Sequence, residues 1–115
     1  MSEQKAPIAV SVKINGKDFV YRAKLVVTEW ARGRLLQRKI DLAVQAISVA
    51  ESDEAIIEAQ KTIDESWSEF VKIAFGEEAV AELPITAVDL RDMLEAATNF
   101  TRAALGVPAS PATAQ

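Results

Sequence analysis

Carboxylates are the one chemically capable type of side chain that this 115-residue sequence holds in quantity, with seventeen Asp and Glu in all. Asp89, Asp92 and Glu95 follow at spacings of three, so on a helix they share a face and could offer oxygen ligands to a hard cation. Calcium sites of that kind usually come from loops that turn at a glycine, and none stands among these residues, so they read as a solvated helix face. Glu77-Glu78 and Asp53-Glu54 read as loop charge and as helix-start charge, the latter where the helix dipole favours it. The chain has no cysteine and no histidine. It therefore lacks disulfides, a thiol nucleophile and thiolate metal sites, together with the commonest general base and the commonest metal ligand. Its Ser, Thr and Lys have no histidine to activate them. The glycines Gly16, Gly33, Gly76 and Gly106 stand too far apart to form a phosphate-cradling loop. The expectation is a protein that is not an enzyme and uses no cofactor and no metal.

What remains is binding by surface. Trp67 falls on the apolar stripe of its helix and reads as core. Trp30 falls on the polar side of an earlier helix, where it either covers neighbouring structure or anchors a partner. Charge is unevenly placed: residues 1–39 hold nine Lys/Arg against three Asp/Glu, and residues 40–115 hold four against fourteen, within a net charge of −4. A basic first third could bind nucleic acid through Arg22, Lys24, Arg32, Arg34, Arg38 and Lys39. It lacks a dense basic run, however, and the acidic remainder would repel phosphates. Attraction between copies of the chain, or between its basic part and an acidic partner, fits the pattern better.

The elements that position these residues follow from periodicity. Half the residues are hydrophobic and 26% are charged, which is a globular composition, and no apolar run approaches the ~20 residues that span a bilayer. Ile8, Val10, Val12 and Ile14 alternate with smaller or polar residues, then comes Asn15-Gly16, a dipeptide suited to the positive φ angles of a type I′ turn. That turn fixes a hairpin in which Val12 faces Phe19, Val10 faces Tyr21, Ile8 faces Ala23 and Lys13 meets Asp18. From Thr28, taken as N-cap, to Ala50 the sequence predicts one long helix whose only weak point is Gly33. Its apolar residues, Leu35, Leu36, Ile40, Leu42, Ala43, Val44, Ala46, Ile47, Val49 and Ala50, cover an arc of roughly 220°, about twice the usual core-facing stripe. Leu35, Leu42 and Val49 recur every seven residues, about 100° around from Leu36, Ala43 and Ala50. If the second row faces the core, the first can face a partner.

Ser52 caps a second helix with the stripe Ile56, Ala59, Ile63, Trp67, Phe70, Val71 and Ala74, ended by Gly76. Only Glu51 to Asp53 separate the two helices, so they must form an antiparallel pair. A short helical turn over Glu77 to Leu83 ends at Pro84. Thr86 and Asp89 resemble a capping box opening a third main helix, with Val88, Leu90, Leu94, Ala97, Phe100, Ala104 and Leu105 toward the core and Gly106 as its stop. The fold class is α+β, mostly α: an N-terminal β-hairpin followed by three main helices, as a single domain over residues 1–106 with a flexible tail at 107–115.

This layout, with the hairpin V-K-I-N-G-K-D-F-V-Y at Val12 to Tyr21, a long helix, an acidic middle and the segment P-I-T-A-V-D-L-R-D-M-L at Pro84 to Leu94, resembles the tail assembly chaperones of long-tailed bacteriophages. The resemblance reaches Gly106. It implies a protein without catalytic residues that binds the long, helical, aggregation-prone tape measure protein in the host cytoplasm before the tail tube forms. The tail tube protein is a further partner on that reading, and members are often also made in a longer, frameshifted form. The start M-S-E-Q-K-A, with no apolar signal segment behind it, agrees with a cytoplasmic location. The expected contact residues are Trp30, Leu35, Leu42 and Val49, and a homo-oligomer is expected from the hairpin edge and the wide apolar arc. The alternatives are a small structural tail or connector subunit, which would remain in purified particles, and a small nucleic-acid-binding regulator, whose affinity would fall steeply with salt.

Overall fold

The computed structural model describes residues 10–22 and 24–104. Two strands, β1 (Ser11–Ile14) and β2 (Lys17–Val20), are followed by α1 (Val27–Ser48), α2 (Asp53–Ala74), the short α3 (Glu77–Glu82), a 3₁₀ turn at Ile85–Ala87, and α4 (Leu90–Ala104). The protein is thus mostly helical, with a two-stranded antiparallel hairpin and three main helices. The expectations for Ile8, Ala23, Leu105, Gly106 and the tail lie outside the described residues.

The hairpin forms in the expected register, with Val12 opposite Phe19 and Lys13 opposite Asp18. The Lys13 and Asp18 charges stand 3.7 Å apart, and the Tyr21 N–H donates to the Val10 carbonyl at 2.9 Å. Asn15 and Gly16 both have positive φ, 56° and 79°, a backbone path that glycine follows freely and asparagine tolerates. Val10, Val12, Ile14, Phe19 and Tyr21 are buried. Their cover comes from α4, which packs on β1, and from Phe75 at the end of α2, whose ring lies 5.9 Å from Phe19 and 4.8 Å from Tyr21.

Two helix starts differ from expectation. Helix α1 begins at Val27 with Val26 as N-cap rather than Thr28. The Glu29 carboxylate accepts from the Val26 N–H at 3.2 Å, the reach-back half of a capping box, and it marks the helix start without a hydroxyl at the cap. Helix α4 begins at Leu90 rather than near Thr86, because Ile85–Ala87 tighten into the 3₁₀ turn, and Asp89 accepts through its backbone from the Met93 N–H at 2.9 Å. Met93, Ala96, Ala97, Phe100 and Ala103 face the core, while Leu90, the first residue of the helix, is 53% exposed. Helix α2 is capped as expected, with the Ser52 hydroxyl accepting from the Ala55 N–H at 3.2 Å. Its stripe is buried from Ala59 to Ala74.

One feature of α1 that propensity alone would disfavour has a packing reason. A Cβ on Gly33 would collide with the ring of Phe100, and that ring, 1% exposed, is itself held edge-on against Phe70 at 5.3 Å. The missing side chain is what lets α4 approach α1. Trp67 is core, as expected, with its indole N–H donating to the Leu83 carbonyl at 2.9 Å.

Candidate functional site

The broad apolar arc of α1 divides into two rows with different fates. Leu36, Ile40 and Ala43 are buried together with Gly33. Leu35, Leu42 and Val49 are 45%, 53% and 74% exposed. Since residues seven apart on a helix differ by only about 20°, Leu35 and Leu42 point to one side of α1 at intervals of about 10 Å, and Val49, the residue that caps its C-terminus, continues the row. Keeping three large aliphatic side chains in water forgoes roughly 1.5–3 kcal/mol of possible burial for each.

Trp30 does not join that row. At about 100° per residue it stands some 140° around α1 from Leu35. It is half-buried and packs against the core, with the Arg34 guanidinium 5.9 Å from its ring centroid. Its indole N–H is buried without a hydrogen-bond partner among the described residues, as is the side-chain oxygen of Gln37. The structure therefore leaves Leu35, Leu42 and Val49 exposed on one side of the helix and sets Trp30 apart.

Beside the ridge, α1 and α2 leave an open groove of about 680 Å³. Leu36, Leu42, Ala43 and Ala46 line it from α1, and Ala55, Ala59 and Thr62 from α2. Arg32 closes the groove at its root with a two-pronged ion pair to Glu69, Nε to Oε2 at 2.7 Å and Nη2 to Oε1 at 2.9 Å. That hydrogen bond holds the Glu69 carboxyl below its ordinary range. Lys39 stands on one bank, Glu58 and Glu65 on the other. Sequence reading missed this groove, since its floor is mostly alanine; the missed signal was the face that Ala55 and Ala59 share with Thr62, Ser66 and Glu69 on α2. Ile57, 64% exposed, was also missed, and Ile56, expected in the core stripe, is 37% exposed.

Several of the basic residues weighed for nucleic acid are engaged within the chain. Arg22 lies 3.3 Å from Glu29 and donates to the Ile73 carbonyl. Arg32 holds Glu69, and Arg34 donates to the Thr101 hydroxyl at 2.7 Å. Among the described residues no group of His, Cys, Asp or Glu converges as a metal site would require. Asp92 instead accepts from the Asn15 N–H at 3.1 Å. No described helix is long and apolar enough to cross a membrane.

No family model, curated protein or solved structure matches the chain.

Proposed function

We propose that this chain is a non-enzymatic protein-binding module that shields an amphipathic helical partner, in the manner of a phage tail assembly chaperone keeping the tape measure protein soluble in the host cytoplasm. The supporting observation is the ridge of Leu35, Leu42 and Val49, exposed while the adjoining row is core. An apolar ridge repeating every two helical turns matches the seam an amphipathic helix presents, so each partner can cover the other's apolar stripe. The likeness of layout described above supplies the identity of that helix.

Co-expression with the long helical protein encoded beside this chain tests the reading. The wild type should keep that protein soluble, and the doubly substituted Leu35→Asp/Val49→Asp chain should fold with an unchanged circular dichroism spectrum yet leave it insoluble. The reading fails if the double variant protects as well as the wild type, or if no such neighbour is encoded. Recovery of the chain as a stoichiometric part of purified particles would replace a transient chaperone with a structural tail subunit.

A further inference from the structure

We propose that the groove between α1 and α2 is a self-association surface, in which two copies pair about a two-fold axis parallel to the helices and form a four-helix bundle with α1 of each copy over α2 of the other. This goes beyond the helical-partner reading and does not rest on it: the two surfaces share Leu42, but the charges that decide the pairing, on Lys39, Glu58 and Glu65, lie off the Leu35 and Val49 positions.

The occupant is identified by charge. The described α1 carries four Arg/Lys against two Asp/Glu, and α2 carries two against six. The groove's two banks are therefore unlike. Lys39 stands on the α1 bank, Glu58 and Glu65 on the α2 bank, and among the described residues none of the three has an ion-pair partner within 4.0 Å. A uniformly acidic or basic helix laid in the groove would be repelled by one bank. A second copy, turned by a two-fold axis along the groove, lays each bank over its opposite, and the contact is self-complementary as isologous interfaces require.

Register supports the same arrangement. Arg32 stands level with Glu69 at the root of the pair, and at its tip α1 ends at Ser48 and α2 begins at Asp53. Two antiparallel helices rising equally per residue then place Lys39 level with Thr62, between Glu58 and Glu65. A two-fold along the helices preserves height, so Lys39 of one copy meets Glu58 and Glu65 of the other, twice over. The floor suits close approach, since Ala43, Ala46, Ala55 and Ala59 carry only a methyl group, and Leu36 and Leu42 supply the larger apolar contacts. This flank is open because α4 covers the other one, through Phe100 against Gly33 and Phe70.

Sedimentation velocity of the full chain over a concentration series tests the proposal, with circular dichroism to confirm that each variant folds. The wild type should show a monomer–dimer equilibrium that high salt weakens. Lys39→Glu alone, and Glu58→Lys/Glu65→Lys together, should each weaken the dimer by roughly tenfold or more. An equimolar mixture of the two variants should restore it, because in the mixed dimer every α1 bank again meets an α2 bank of opposite sign. A wild type that stays monomeric at all concentrations overturns the proposal. So does a dimer that Lys39→Glu leaves unchanged or strengthens, as α1-on-α1 pairing would, or a pair of weakened variants that mixing fails to restore.

Discussion

The root and the tip of the α1–α2 pair are built from the same kind of sequence and end in opposite environments. From Gly33 to Ala43 and from Ala59 to Ala74 the inner faces are buried, because α4 and the β-hairpin add a further layer. Between residues 44 and 58 no residue is buried, although Val44, Ile47, Val49, Ile56 and Ile57 are as apolar as those of the root. Hydrophobic periodicity states which residues want cover; only the third layer decides which receive it. The root is therefore held by packing, and the tip is a two-helix arm in which Val44 and Ile47 still pack on the edge of the core while Val49, Ile56 and Ile57 stand exposed to another molecule.

The contrast can be broken most severely at the root. Phe100→Ala should remove about 3–5 kcal/mol of stability in urea denaturation, since its ring fills the junction of α1, α2 and α4. Gly33→Ala should destabilise by about 1–3 kcal/mol although alanine is the better helix former, because overpacking against Phe100 outweighs a propensity gain of about 1 kcal/mol. A stabilised Gly33→Ala variant would show that α4 is not tightly seated.

Tyr21 sharpens the comparison through pH. Its hydroxyl donates to the Ala96 carbonyl at 2.7 Å, and burial, followed by the charge of Glu95, pushes its pKa well above the ordinary 10.0. A raised folded-state pKa gives a contribution that is complete below the unfolded value and is lost as pH rises beyond it. Tyr21→Phe should therefore cost about 1 kcal/mol near neutrality. It should also show a shallower fall in stability above about pH 10 than the wild type, measured by urea titration at several pH values.

At the tip the effects should be smaller and local. Ser52→Ala removes the cap of α2 and should cost about 1 kcal/mol. Amide hydrogen exchange should report that loss as faster opening of residues 44–58 rather than of the root. Smallest of all, Val49→Asp should change stability by no more than about 0.5 kcal/mol, since its side chain is already in water. A large loss there would mean that the arm is packed in the isolated protein.

Much of this was legible in the sequence for reasons that can be named. Asn15-Gly16 fixed the hairpin register because few residues accept two successive positive φ angles, and Ser52 marked a helix start because its hydroxyl satisfies an otherwise orphaned N–H. The start of α4 was misread because Thr86 and Asp89 satisfy a capping pattern that a 3₁₀ turn also accommodates, and the later start leaves Leu90 at the exposed end of the helix rather than within its covered length. The ridge of Leu35, Leu42 and Val49 was visible as surplus apolar width. Which part of that width faced inward could be stated only as a condition, because it depends on α4 seating against Gly33, a contact across sequence that periodicity does not encode. Trp30 was drawn into the site by residue type, and its angle on α1 separates it from the ridge.

The Asn15 turn ties the beginning of the fold to its end. Its backbone N–H reaches Asp92, 77 residues away, its side chain donates to the Ala87 carbonyl at 2.6 Å, and Tyr21 crosses 75 residues to Ala96. On the ribosome the hairpin, α1 and α2 all emerge before the helix that covers them, so the root cannot close until α4 has been synthesised. The nascent chain consequently passes through a stage in which Tyr21 and Phe70 lack their final cover. The last described helix thus acts as a clasp, and the rate at which it docks sets how long the newborn protein is itself in need of protection.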